Sequence, residues 1–321
     1  MSGSELSERV EAWQAEGGFT TFRDHSIYRR HGKGEGQTVL FLHGFPTSSF
    51  DFAPVIGRLP GVPTLTFDFL GYGLSEKPRD HTYTIAWQAD LTEALVAELG
   101  DDPVFVCAHD LGTSVATELM ARDLEGELGF ERAGVLLFNG TILIDRAQPT
   151  LAQKLLRGPI GPLAARLSNE AFFRRQFSSV FSAAHPPSQE ELEDAWALIE
   201  NNDGSRLGHK LVYYMEERTI YADRWHGAVR DWEGPLSLAW GLEDPVAVPA
   251  ILEGLVELRP GVEPVTFPDL GHYPQVEDPD RFSEALVAAR ASRAEMACRS
   301  LYCRVSKHLL TGPGRVQEGR K

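Results

Sequence analysis

Cysteine is scarce in this chain: Cys107, Cys298 and Cys303 are its whole complement, too few for a disulfide framework. A reducing compartment is therefore expected, and Cys107, inside an apolar run, reads as a small hydrophobe. No stretch of 18 or more apolar residues occurs, so no membrane span is expected. The amino-terminal MSGSELSERVEAWQAEGG lacks an apolar core of the kind a secretory leader carries, which makes a cytoplasmic location the expectation. Positive charge is in deficit, with 31 Lys and Arg against 46 Asp and Glu and a net charge of -15. That balance disfavours nucleic acids and anionic membranes as partners. The deficit is uneven: from Ala291 onward seven Lys or Arg face two Asp or Glu, leaving -20 on the first 290 residues. Metal-ligand spacings and nucleotide-binding glycine motifs are missing too, so neither a metal nor a cofactor is expected.

What is present is chemistry at the ends of short apolar runs. Residues 104–119, VFVCAHDLGTSVATEL, run from a strand pattern into a helix pattern through Ala108-His109-Asp110-Leu111-Gly112. Small residues on either side of a central nucleophile are what a sharp strand-to-helix turn requires, because its backbone is strained and strand and helix approach closely. With Asp at the centre, the chemistry points to saturated carbon. A carboxylate that displaces a leaving group there forms an alkyl ester, which water can then cleave. The plainer role for Asp110 is to cap the helix that follows.

Two later segments favour the catalytic role. Leu236 to Gly241 reads as a buried strand and places Asp244 on the loop after it; Val265 to Leu270 leads in the same way to His272. Nucleophile, acid and histidine thus follow in the chain order such a hydrolase needs, with His272 activating water and Asp244 orienting the imidazole. His43 and His109 read as structural residues, hydrogen-bonded within the loop or strand that carries them.

The segments HGFPTSSFDF, DFLGYGLSEKP, AHDLG, GLEDP and GHYPQVEDP together resemble the epoxide hydrolase and haloalkane dehalogenase branch of the α/β-hydrolases, and within it the mesoderm-specific transcript protein-like hydrolases. The resemblance spans about residues 20 to 289. It implies the α/β-hydrolase fold, a mostly parallel twisted sheet flanked by helices with a helical cap after the sixth strand. It also implies backbone N–H donors at Phe45 and Leu111 for the oxyanion or leaving group. Dehalogenases typically carry Trp after the nucleophile, where this chain has Leu111, so halide binding would fall to Trp196 or Trp225. Epoxide hydrolases use cap tyrosines as the acid, a role open to Tyr214 first and Tyr221 second. They too usually carry that Trp.

Division of the chain follows from its periodicities. Residues 1–18 form an amino-terminal segment, 19–140 and 230–290 the hydrolase core, 141–229 the helical cap, and 291–321 a basic tail expected to be flexible. A hairpin is expected around Phe19 to Arg30, helices over Ser49 to Leu59 and Thr84 to Leu99, and a last helix over Asp278 to Arg290. Three functions stay open: an epoxide hydrolase-like enzyme acting on a small apolar substrate with water, a haloalkane dehalogenase, and a non-catalytic protein that binds a hydrophobic ligand or partner. Monomer and homodimer are equally compatible with the sequence.

Overall fold

The computed structural model describes residues 6–291. Eight strands form one sheet: β1 (Gly18–Phe22), β2 (His25–Gly32), β3 (Val39–Leu42), β4 (Thr64–Phe67), β5 (Val104–His109), β6 (Arg132–Phe138), β7 (Leu236–Gly241) and β8 (Val265–Phe267), in spatial order β1-β2-β4-β3-β5-β6-β7-β8. The first two strands make the expected hairpin, and β2 pairs antiparallel with β4; every later pairing is parallel.

The central strands are apolar on both faces because helices cover both. Alternation along β3 and β5 sends Leu40, Leu42, Val106 and Ala108 to one core, and Val39, Phe41, Phe105 and Cys107 to the other. Cys107 is fully buried, and burial pushes its thiol well above the ordinary range. The chain leaves β3 for β4 on one side and returns to β5 on the other, so the strand order reverses between β3 and β5. Open sheets bind ligands at such a switch, beyond the carboxyl ends of the strands.

Helix ends follow local chemistry. Ile85–Ala97 starts where Thr84 accepts a hydrogen bond from Trp87 N–H, and the chain turns away through Gly100 at φ +94°. The expected helix over Ser49 to Leu59 is shorter, a 3-10 turn Ser49–Phe52 followed by Ala53–Ile56. The amino-terminal segment, for which no element was expected, contains a helix Glu8–Ala15 that Ser7 caps and that buries Val10 and Trp13. Between β6 and β7 lie only helices, from Leu151–Arg157 to Ala222–Asp231. The last helix is present over 279–291, and the basic tail beyond its first residue lies outside the described residues.

The turn after β5 depends on Gly112. A Cβ there would sit 2.3 Å from the Leu42 carbonyl oxygen, and Gly112 N–H donates to His43 O at 2.9 Å. Backbone on both sides leaves no flexible side chain to yield. Gly112→Ala is expected to cost at least about 2 kcal/mol of stability, read by chemical denaturation.

Candidate active site

Asp110 sits between β5 and the helix Leu111–Leu124 with φ +39° and ψ -104°, a conformation that L residues rarely adopt. Its side chain makes no capping hydrogen bond to that helix. Instead Oδ2 accepts from Phe45 N–H at 3.0 Å across the β3 loop. This excludes the helix-capping role and turns the carboxylate toward the sheet's switch point. Leu111 follows as the first residue of the helix, where a backbone N–H has no intrahelical acceptor. Gly44 fits beside Asp110, since a Cβ on it would lie 2.9 Å from Asp110 Cβ.

Asp244 and His272 meet as their order along the chain suggested. His272 Nδ1 donates to Asp244 Oδ2 at 2.6 Å. The other donors to Asp244 are Val246 N–H at 2.7 Å, Ala247 N–H at 2.9 Å and Asn139 Nδ2 at 2.8 Å. With Nδ1 carrying the proton, Nε2 keeps the lone pair that a base needs. Burial alone would lower the His272 pKa; the charge and hydrogen bond of Asp244, with Asp110 and Glu277 behind them, outweigh it and hold the pKa above 6.5. The backbone of His272 is fixed on both sides, its N–H donating to Val180 O and its carbonyl accepting from His109 Nε2.

His109 and His43 are structural, as read. His109 is wholly buried, stacks on Phe138, and is held neutral by burial and the neighbouring His272. His43 donates from Nδ1 to Gly44 O at 2.8 Å and accepts from Phe69 N–H at Nε2, 3.0 Å.

A cavity of about 430 Å³ opens onto His272 and Phe45, while Asp110 and Asp244 lie behind its wall and do not line it. Phe45, Tyr72, His272 and Tyr273 line it from the sheet side, and Leu156, Leu163, Phe172, Phe173, Phe177 and Trp196 from the helices between β6 and β7. The size and apolar walls suit a small organic molecule. Tyr214 is buried beside it, its ring 5.7 Å from that of Phe45. Gln153 Nε2 donates to the phenol oxygen at 3.2 Å, which leaves the Tyr214 O–H free to donate.

Of the four expected binding residues only Trp196 lines the cavity; Tyr214 sits behind its wall, and the other two lie further off. Tyr221 is 44% exposed and rests on Trp225, while Trp225 is buried with its Nε1–H on Glu118 of the helix Leu111–Leu124 at 2.9 Å. Neither lines the cavity. The cause is local: Tyr214 and Tyr221 are seven residues apart and would share a face of one continuous helix, but Tyr214–Ile220 ends at Tyr221 and Ala222–Asp231 begins there.

Other site residues escaped sequence reading. Asn139, at φ +41° just past β6, holds Asp244 from one side and bridges Gly241 O and Gly271 O. Its one signal was its place at a strand end. Tyr72 lines the cavity from the turn-rich loop after β4, and Arg218 is buried against Asp110.

Residues 39–285 match the alpha/beta hydrolase family. The chain belongs to that family. It is 48% identical over 282 residues to the putative hydrolase LipZ of Mycobacterium tuberculosis, a match covering 88% of this chain and 98% of that protein. It is 36% identical over 297 residues to the human mesoderm-specific transcript homolog protein, covering 88% of each. Among solved structures, the haloalkane dehalogenase DbeA-M1 loop variant of Bradyrhizobium elkanii superposes with a TM-score of 0.73 at 23% identity, over 88% of this chain and 99% of that one. That likeness speaks for the fold. The protein is thus an α/β-fold hydrolase, and among its described residues no helix is long and apolar enough to cross a membrane.

Proposed function

We propose that this hydrolase works through Asp110 as nucleophile and opens an epoxide on an apolar substrate, with residues 141–229 acting as the cap over the site. The observation that carries the reading is the Asp110 carboxylate itself. It stands at a strained turn, leaves the helix uncapped, and holds Oδ2 on the Phe45 N–H, which leaves Oδ1 to attack.

In the first step Oδ1 attacks a ring carbon, the carbon–oxygen bond of the ring breaks, and the alkoxide takes a proton from a phenol. Tyr214 supplies that proton. Burial, reinforced by the charge of Asp110, raises its pKa and keeps it protonated. In the second step His272 Nε2 takes a proton from water and the hydroxide adds to the ester carbonyl. The Phe45 and Leu111 N–H groups face the oxyanion; the departing alkoxide takes the proton held on His272, and the carboxylic acid so formed at Asp110 gives its proton to the Tyr214 phenolate. The balance is one water consumed and one diol formed.

Dehalogenation uses the same nucleophile but needs side-chain donors for the halide. Leu111 has none, Phe45 offers its backbone alone, and the Trp225 indole is committed to Glu118. Trp196, in the cavity wall, is the one expected indole left for that task.

The choice is tested by turnover of matched terminal epoxides and bromoalkanes. Diol formation from the epoxides with no bromide release supports the reading; bromide release alone contradicts it. Tyr214→Phe is expected to slow epoxide opening by on the order of 10²-fold, measured as diol formation, while Tyr221→Phe changes it little.

A further inference from the structure

Arg218 lies on the helix Tyr214–Ile220, between β6 and β7, and is 0% exposed. An arginine in a helical stretch ordinarily keeps its guanidinium in water, because burying the charge is costly unless it is paired and hydrogen-bonded. Here the guanidinium crosses to the nucleophile turn. Nη2 donates to Asp110 O at 2.7 Å and stands 3.6 Å from Asp110 Oδ1, Nε donates to Ser114 Oγ at 2.7 Å, and Nη1 donates to Thr141 Oγ1. Its flat face covers the Tyr214 ring at 4.5 Å.

Two consequences follow for Asp110. Its carbonyl, set by the strained φ of +39°, accepts from Thr113 N–H, Thr113 Oγ1–H and Arg218 at once, which holds the turn in place. Its carboxylate is 1% exposed, and the charge that water would solvate faces a guanidinium instead. The other titratable groups that feel Asp110 are His43, Tyr72, Tyr214, His272 and Tyr273. Of the six, Arg218 alone carries a permanent positive charge.

We propose that Arg218 is a positioning residue for the nucleophile: a cation delivered by the helical insertion that stands as counter-charge to the Asp110 carboxylate and holds its carbonyl fixed. Seating of the insertion then brings the counter-charge to the nucleophile. The proposal rests on reading Asp110 as the nucleophile, yet it concerns a charge that can be measured without substrate.

The test is a pH titration of protein labelled with ¹³C at the aspartate side-chain carboxyl, with the Asp110 signal assigned by its loss in Asp110→Asn. Arg218→Lys keeps the charge and gives up part of the hydrogen bonding; Arg218→Gln keeps amide donors and gives up the charge. The Asp110 midpoint is expected to stay within about half a pH unit of wild type in the Lys variant and to rise by about one to three units in the Gln variant. A midpoint that Gln leaves in place, or that Lys and Gln move alike, overturns the proposal. Where Arg218→Gln folds poorly, Arg218→Gln with Asp110→Asn answers the same question. Recovered thermal stability supports the charge pair, and no recovery overturns it. Failure to alkylate Asp110 alongside a shifted titration would sink the nucleophile reading and leave the charge pair standing.

Discussion

Asp110→Ala is expected to lower kcat/KM by on the order of 10⁴-fold or more, because it removes the atom that forms the covalent intermediate. The loss separates from a folding defect. Asp110 caps nothing with its side chain, and its carboxylate has one backbone donor, Phe45 N–H. The variant leaves the buried Arg218 without its anionic neighbour, so a loss of stability of about 3 kcal/mol is expected as well, and turnover is compared on protein shown to be folded. Near-wild-type turnover in a folded Asp110→Ala protein would mean that water attacks the substrate directly.

His272→Ala has an equally large effect on turnover and a different signature. The first step needs only Asp110 and the phenol; the second needs the imidazole. Turnover is expected to fall by about 10⁴-fold while alkylation of Asp110 continues. The same division appears as pH dependence in the wild type. His272 must be neutral to take a proton from water, and its pKa is held above 6.5, with Asp244 the main cause opposing burial. Ester hydrolysis is therefore expected to rise with pH through a midpoint above that of a free imidazole, and the ester to accumulate below it. Asp244→Asn lowers that midpoint, which rapid-quench measurement of ester decay across pH will show.

Legibility in the sequence followed how local the determining interaction is. The strand Leu236–Gly241 was readable residue for residue because every determinant, an apolar run ending in a turn signal, lies within it. The turn at Asp110 was readable for the same reason, its small flanks answering to Leu42 O and the neighbouring backbone. Tyr221 and Trp225 were misassigned because a break at Tyr221 rotates one helix against the next, and no residue there announces it. Arg218 was invisible, since an arginine in a helix reads as a solvated face. Its burial depends on Asp110, Ser114 and Thr141, all at least 77 residues away in the chain. The helix Glu8–Ala15 was missed because it buries only Val10 and Trp13, too few for a periodic signal.

The central claim is a covalent bond at Asp110, and its most direct test is intact-protein and peptide mass spectrometry of His272→Ala after incubation with a terminal epoxide and a bromoalkane. The peptide carrying Asp110 is expected to gain the whole mass of the epoxide, and the gain to disappear when Asp110→Ala is added. An alkyl mass without bromine, and no epoxide adduct, would reassign the enzyme to dehalogenation. An adduct on any other residue, or none with either compound, would contradict the role given to Asp110.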